Sequence, residues 1–152
     1  MNIELKKLNY VDQHLLNKIL EWRNDENTRQ YSNNTNIITP DIFNVIIKKY
    51  IESGVTPLII YLNGIESGII SFTQNNNKIY IGINIAPKYR HMKIGSKALD
   101  LFVMNRKEWI NNGINVIYAS VKIDNIPSIK LFHKYFLFMD KNDLYNEFYL
   151  EI

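Results

Sequence analysis

The chain has 152 residues, a net charge of +3 and no cysteine. That length supports one domain with a core of its own. The missing thiols exclude disulfides, thiolate catalysis and cysteine-type zinc sites, and they fit a reducing compartment.

The positive excess is too small to argue for a nucleic-acid partner. His14, His91 and His133 are too scattered for helical ligand spacing, so no metal site is expected. The amino-terminal MNIELKKLNYVDQ has no apolar signal core, and no later stretch could span a bilayer. A cytoplasmic chain away from membranes, with one domain over residues 1–152, is the expectation.

Ile3–Leu8 reads as a first strand. Asp12 caps a helix through Trp22 whose buried stripe is Leu15, Leu16, Ile19 and Leu20. Arg23–Asn36 is polar and turn-rich, and Thr39-Pro40-Asp41 announces a second helix to about Glu52. The period then changes. Thr56–Leu62, Ser67–Gln74 and Lys78–Ile85 are β-rich, separated by Asn63-Gly64 and by Asn75-Asn76-Asn77, so an antiparallel meander is predicted. On its last strand Ile79, Ile81, Ile83 and Ile85 share one face, and Tyr80, Gly82 and Asn84 the other.

Pro87 ends that strand. Ile94 to Asn111 has helical spacing, with Asn112-Gly113 as its stop. Ile114–Ile123 is a strand parallel to the one before the helix, Asn125–Tyr135 a helix, and Tyr145–Ile152 a final strand. The sum is an α/β (α+β) chain of order β-α-α-β-β-β-α-β-α-β, a mixed sheet flanked by helices.

The segment between the fourth strand and the long helix, YRHMKIGSKAL, has the makings of an anion cradle. N–H groups at a helix start lack partners and the helix dipole adds positive potential. Gly95 allows close approach, and Arg90, Lys93 and Lys97 bring cationic donors. A pyrophosphate-bearing guest suits such a turn; an ordinary strand-to-helix turn with surface charge has the same residues.

Three segments together resemble the Gcn5-related N-acetyltransferase (GNAT) superfamily. IYIGINIAPKYRHMKIGSKAL is similar to its acetyl-CoA pyrophosphate loop, INVIYASVKIDN with Asn125 and Ser128 to its fifth-strand-to-helix junction, and LFHKYFLF to its Leu-Tyr-x-Lys-x-Gly-Phe signature. They cover about half the chain in the family's order. The resemblance implies a mostly antiparallel, twisted mixed sheet whose fourth and fifth strands splay apart, with acetyl-CoA as co-substrate. Ile83, Asn84, Ile85, Arg90, Lys93, Ile94, Gly95, Ser96, Asn125 and Ser128 would hold it.

Departures are visible. Lys93 stands at the loop's first glycine, Phe132 at the tyrosine that protonates the departing thiolate, and Phe136 at a glycine. Tyr80 aligns with the glutamate that often serves as base. Tyr135 and Tyr118 are therefore the candidate acids and Tyr80 the third catalytic candidate, while Asp25 or Glu26, or water, would take the proton from the amine.

On the acceptor side, Trp22, Arg23 and Asn24, followed by Arg29 and Tyr31, resemble acetyltransferases that act on nucleotide-linked amino sugars. A ribosomal-protein N-terminal acetyltransferase subgroup shares the pattern. Arg23 and Arg29 could grip a diphosphate, and Trp22 or Tyr31 could stack on a sugar or base. The implied partner is a small-molecule amine, with a sugar nucleotide in front. The alternatives are a peptide N-terminal acetyltransferase, expected to have an acidic, open cleft, and a CoA-binding module without turnover. The oligomer would be a monomer or homodimer.

Overall fold

In the computed structural model, which describes residues 1–152, seven strands form one sheet in the order β1-β2-β3-β4-β5-β7-β6. The elements run β1 (Ile3–Lys7), α1 (Gln13–Asn24), α2 (Glu26–Gln30), α3 (Pro40–Glu52), β2 (Leu58–Leu62), β3 (Ile65–Asn75) and β4 (Lys78–Ile85). After a 3-10 turn at Pro87–Tyr89 come α4 (Ile94–Met104), α5 (Arg106–Trp109), β5 (Val116–Lys122), α6 (Ile126–Tyr135), β6 (Leu137–Lys141) and β7 (Tyr145–Glu151). No helix is long and apolar enough to cross a membrane.

Local chemistry accounts for the boundaries. Asp12, Thr39 and Asn125 each accept a hydrogen bond from the backbone N–H three residues on, at Leu15, Ile42 and Ser128. Both hairpins turn through paired left-handed residues, Asn63 and Gly64 at φ 50° and 82°, and Asn76 and Asn77 at 51° and 64°. That is the backbone hand a two-residue hairpin needs.

Three departures from the sequence reading have local causes. Within the polar Arg23–Asn36 stretch, Asp25 caps the extra short helix α2 through the Thr28 N–H. The long helix expected over Ile94–Asn111 breaks at Asn105, whose side chain and backbone N–H both bond back to the Leu101 carbonyl. An asparagine that competes for helix carbonyls ends helices this way. Finally, β6 was not expected; its five residues are all exposed and it pairs only with β7.

The sheet buries both faces. On one, Ile60, Phe72, Ile81, Leu99, Phe102, Phe132 and Phe148 pack beneath α4 and α6; on the other, Leu15, Ile19, Trp22, Phe43, Ile59 and Ile69 pack beneath α1 and α3. Phe102 is fully buried, with its ring 5.6 Å from that of Phe72. Removing such a side chain costs about 3–5 kcal/mol.

One joint in the sheet differs from the rest. β4 pairs with β3 over its whole length, yet meets β5 in parallel at the single pair Tyr80↔Tyr118. Beyond it the strands diverge, leaving the Gly82–Ile85 backbone unpaired on that side. This matches the splay expected of the fourth and fifth strands.

Candidate active site

The divergence of β4 and β5 opens a cleft of about 770 Å³. All ten residues expected to hold a co-substrate line it: Ile83, Asn84 and Ile85 from β4, Arg90 and Lys93–Ser96 from the following turn, Asn125 and Ser128 from α6. The sequence brings them together from two strand-to-helix junctions.

The turn is built as a donor cradle. His91 and Lys93 both adopt the left-handed conformation, at φ 64° and 62°. A lysine thus takes the backbone geometry that glycine adopts freely, at a strain of about 1–2 kcal/mol. Lys93 places no side-chain cap on α4, and the N–H groups of Ile94, Gly95 and Ser96 bond to nothing in the chain. A Cβ on Gly95 would meet only ordinary contacts, Ile85 at 3.7 Å and Ile83 and Leu131 at 3.8 Å. Packing within the protein does not demand glycine there; the bare backbone leaves room for a guest. Three unpaired N–H groups at a helix start that no side chain caps suit a pyrophosphate.

Arg90 has a different task from the one expected. Its Nη1 donates to Asp25 Oδ2 at 2.7 Å, Nη2 to Thr28 Oγ1 at 2.7 Å, and Nε to the Ile85 carbonyl at 3.1 Å. Thr28 Oγ1 in turn donates to Asn84 Oδ1 at 3.1 Å. The guanidinium ties the turn and β4 to α2, so it is a structural clamp rather than a free phosphate donor. Burial pushes the Asp25 carboxyl up, but the Arg90 hydrogen bond and charge and the Thr28 and Asn27 N–H groups together hold it below the ordinary value. That engagement also removes Asp25 as a free base.

The acceptor candidates divide. Arg23 and Tyr31 line the cleft; Trp22 and Arg29 do not. Trp22 is 7% exposed and belongs to the α1–α3 core. Arg29 Nε and Nη1 donate to the Asn24 and Thr35 carbonyls and brace the loop after α2. Asn24 clips the same loop, donating to the Ile38 carbonyl at 2.9 Å and accepting from its N–H at 2.7 Å.

Arg23 is the exception. Nη2 donates to the Asn34 carbonyl, but Nη1 is buried with no partner. Burial lowers its pKa, offset in part by the facing Tyr50, while Arg29 lowers it further. Tyr50 itself lines the cleft and went unnoticed in the sequence. Burial raises its pKa, against the opposing pull of the Ser71 side chain and the Arg23 charge.

None of the three tyrosines expected to act in catalysis lines the cleft. Tyr80 and Tyr118 pack together with ring centroids 5.8 Å apart and planes tilted by 38°, at the vertex where the strands part, with Lys78 over the Tyr118 ring. Tyr135 does not line the cleft itself but reaches a residue that does, its hydroxyl 3.1 Å from Ser96 Oγ. Phe132, at the family's tyrosine position, does line the cleft, and its ring packs edge-on against Phe136 at 5.1 Å.

Against known proteins, the model of the acetyltransferase (GNAT) family matches residues 15–138. Among solved structures, an N-acetyltransferase from Staphylococcus aureus Mu50 superposes with a TM-score of 0.77 at 19% identity, with 99% of each chain covered. Campylobacter jejuni N-acetyltransferase PseH in complex with acetyl coenzyme A gives 0.69 at 17%, again with 99% of each chain covered. Ribosomal-protein-alanine N-acetyltransferase from Brucella melitensis gives 0.78 at 16%, covering 98% of this chain and 99% of that one. At such identities the superpositions establish the fold. A comparison with curated proteins finds no match.

Proposed function

We propose, since this chain belongs to the acetyltransferase (GNAT) family and is an N-acetyltransferase drawing on acetyl-CoA, that its acceptor is a primary amine on an anionic small molecule. A nucleotide-linked amino sugar fits best. The observation that carries this is the buried, unpartnered Nη1 of Arg23 in a cleft lined by arginine, lysine and histidine and by no carboxylate. A desolvated guanidinium with a free donor gains most from a phosphate or carboxylate oxygen. A peptide amino terminus, being cationic, is served by an acidic lining that this cleft lacks.

The residues fit the co-substrate's parts. The cradle at Ile94, Gly95 and Ser96 would receive the pyrophosphate, and the unpaired side of β4 would hydrogen-bond the pantetheine amides. Asn125, the cap of α6, and Ser128 line the same cleft and would face that arm. Acetyl-CoA supplies the thioester carbonyl; the protein orients it between β4 and β5 and holds the amine on the α2 and α3 side.

The test is release of CoA from acetyl-CoA with a UDP-linked amino sugar against an alanine-initiated peptide. Turnover of the sugar nucleotide is expected, with Arg23→Lys raising KM about tenfold because one ammonium cannot reproduce a forked donor. Turnover of the peptide alone would overturn the acceptor assignment. Acetyl-CoA binding with transfer to neither would leave a CoA-binding module.

A further inference from the structure

An amine held as ammonium must lose a proton before it can attack, and no carboxylate lines the cleft to take it. Two carboxylates reach the cleft wall through one hydrogen bond. Asp25 does so through Arg90 and Thr28, where its charge is already engaged. Glu147 does so through Ser120, and its situation differs.

Glu147 on β7 lies directly opposite Ser120 on β5, and Ser120 Oγ donates to Glu147 Oε1 at 2.9 Å. The other carboxylate oxygen, Oε2, is buried with no partner. On the same sheet face stand Tyr118 and Lys122 of β5, Tyr145 and Tyr149 of β7, and Asp140 opposite on β6. Two cations share that face: Lys122, whose ammonium is held by the Gln30 and Ser32 carbonyls, and Lys78 of β4, which lies over the Tyr118 ring. Neither forms an ion pair with Glu147. Ser120 itself lines the cleft, two residues past the last β4–β5 pair and level with Gly82. Ser120 thus sits on the cleft wall beside the gap between β4 and β5, with its hydroxyl hydrogen-bonded to Glu147.

We propose that Ser120 and Glu147 form the proton-accepting pair of the reaction, an assignment that rests on the acetyltransferase reading above. The ammonium gives a proton to Ser120 Oγ while the Ser120 proton passes to Glu147 Oε1. The freed nitrogen lone pair attacks the thioester carbonyl carbon; the C–N bond forms and the C–S bond breaks. The departing thiolate takes the second nitrogen proton, and Glu147 returns its own to solvent. Ser120 touches the amine; Glu147 orients the hydroxyl and stores the charge.

Two small probe acceptors test this without knowledge of the natural one. Ethanolamine is almost wholly protonated near neutral pH, whereas hydroxylamine is neutral and needs no base. Glu147→Gln keeps an oxygen for Ser120 to donate to, and Ser120→Ala alters an exposed side chain, so both should fold. Expected is unchanged acetyl-CoA binding by calorimetry, a loss of about 100-fold in transfer to ethanolamine and less than about threefold for hydroxylamine. Raising pH should restore the ethanolamine rate of Glu147→Gln. Equal losses with both acceptors, or no loss with either, would overturn the pair. Where the native protein acetylates neither probe, the same variants are assayed with the UDP-linked amino sugar. Equal rates for native protein and Glu147→Gln there overturn the pair. No transfer by native protein to any of the three amines removes the transferase reading on which the pair rests.

Discussion

Arg90→Ala separates a clamp from a phosphate ligand. Arg90 makes three hydrogen bonds, to Asp25, Thr28 and the Ile85 carbonyl, and the ion pair is about three-quarters buried, with side-chain exposures of 20% and 25%. Charge-assisted bonds contribute about 1.5–3 kcal/mol each in protected settings, and partial exposure discounts that, so the whole clamp should contribute about 3 kcal/mol. For a chain of this size that is a fall in Tm of about 6–12 °C. Urea unfolding of the native protein, Arg90→Ala, Asp25→Asn and the double variant should give a coupling energy of about 1–2 kcal/mol. The acid side supplies an internal check. Asp25 has a folded pKa below its unfolded value, so its contribution is present above the unfolded pKa and lost as pH falls through the folded one. Asp25→Asn should flatten that limb of the stability profile. A variant Arg90→Ala within about 0.5 kcal/mol of native stability, but at least tenfold weaker for acetyl-CoA, would refute the reasoning and return Arg90 to the ligand set.

Gly95→Ala should leave folding unchanged or improve it by a few tenths of a kcal/mol, because the new methyl meets only ordinary contacts and alanine favours the helix. Acetyl-CoA affinity, measured by calorimetry, should nevertheless fall by about tenfold, since the methyl enters the cradle; unchanged affinity would mean the pyrophosphate lies elsewhere. Lys93→Gly should relieve the left-handed strain and lose unfolded-state order in similar measure, leaving stability within about 1 kcal/mol of native. Lys93→Val, β-branched at φ 62°, should lose about 1–2 kcal/mol in urea unfolding; equal stability of the two would contradict the strain.

Which features were legible follows from how local their signals are. The caps at Asp12, Thr39 and Asn125, the asparagine turns and the Gly95-Ser96 helix start are written within four or five residues, and the helices and hairpins begin where those residues say. The Arg90 clamp joins residues 65 positions apart, and the Ser120–Glu147 bond spans 27. No periodicity reports such pairs; they exist only once β5 and β7 are in register and α2 has folded back over β4. Tyr80 is suggested by its alignment with the family's glutamate and Tyr118 by its place on β5, but the two sit at the vertex where the strands part, their rings 5.8 Å apart, and neither lines the cleft. The Trp22-Arg23-Asn24 run shows the limit of a motif. Its three residues point to three tasks, a core, a cleft and a loop clip, and only the cleft residue bears on the acceptor.

The solitary Tyr80↔Tyr118 pair gives this sheet a third edge, inside it rather than at its rim. Exposed strand edges invite other chains to add to them and seed aggregation. Here the bare stretch of β4 lies inside a cleft walled by β5, α4 and α6 and not at the rim of the sheet. An edge so enclosed cannot extend the sheet from molecule to molecule, so the feature that would endanger an ordinary sheet is sequestered in this one.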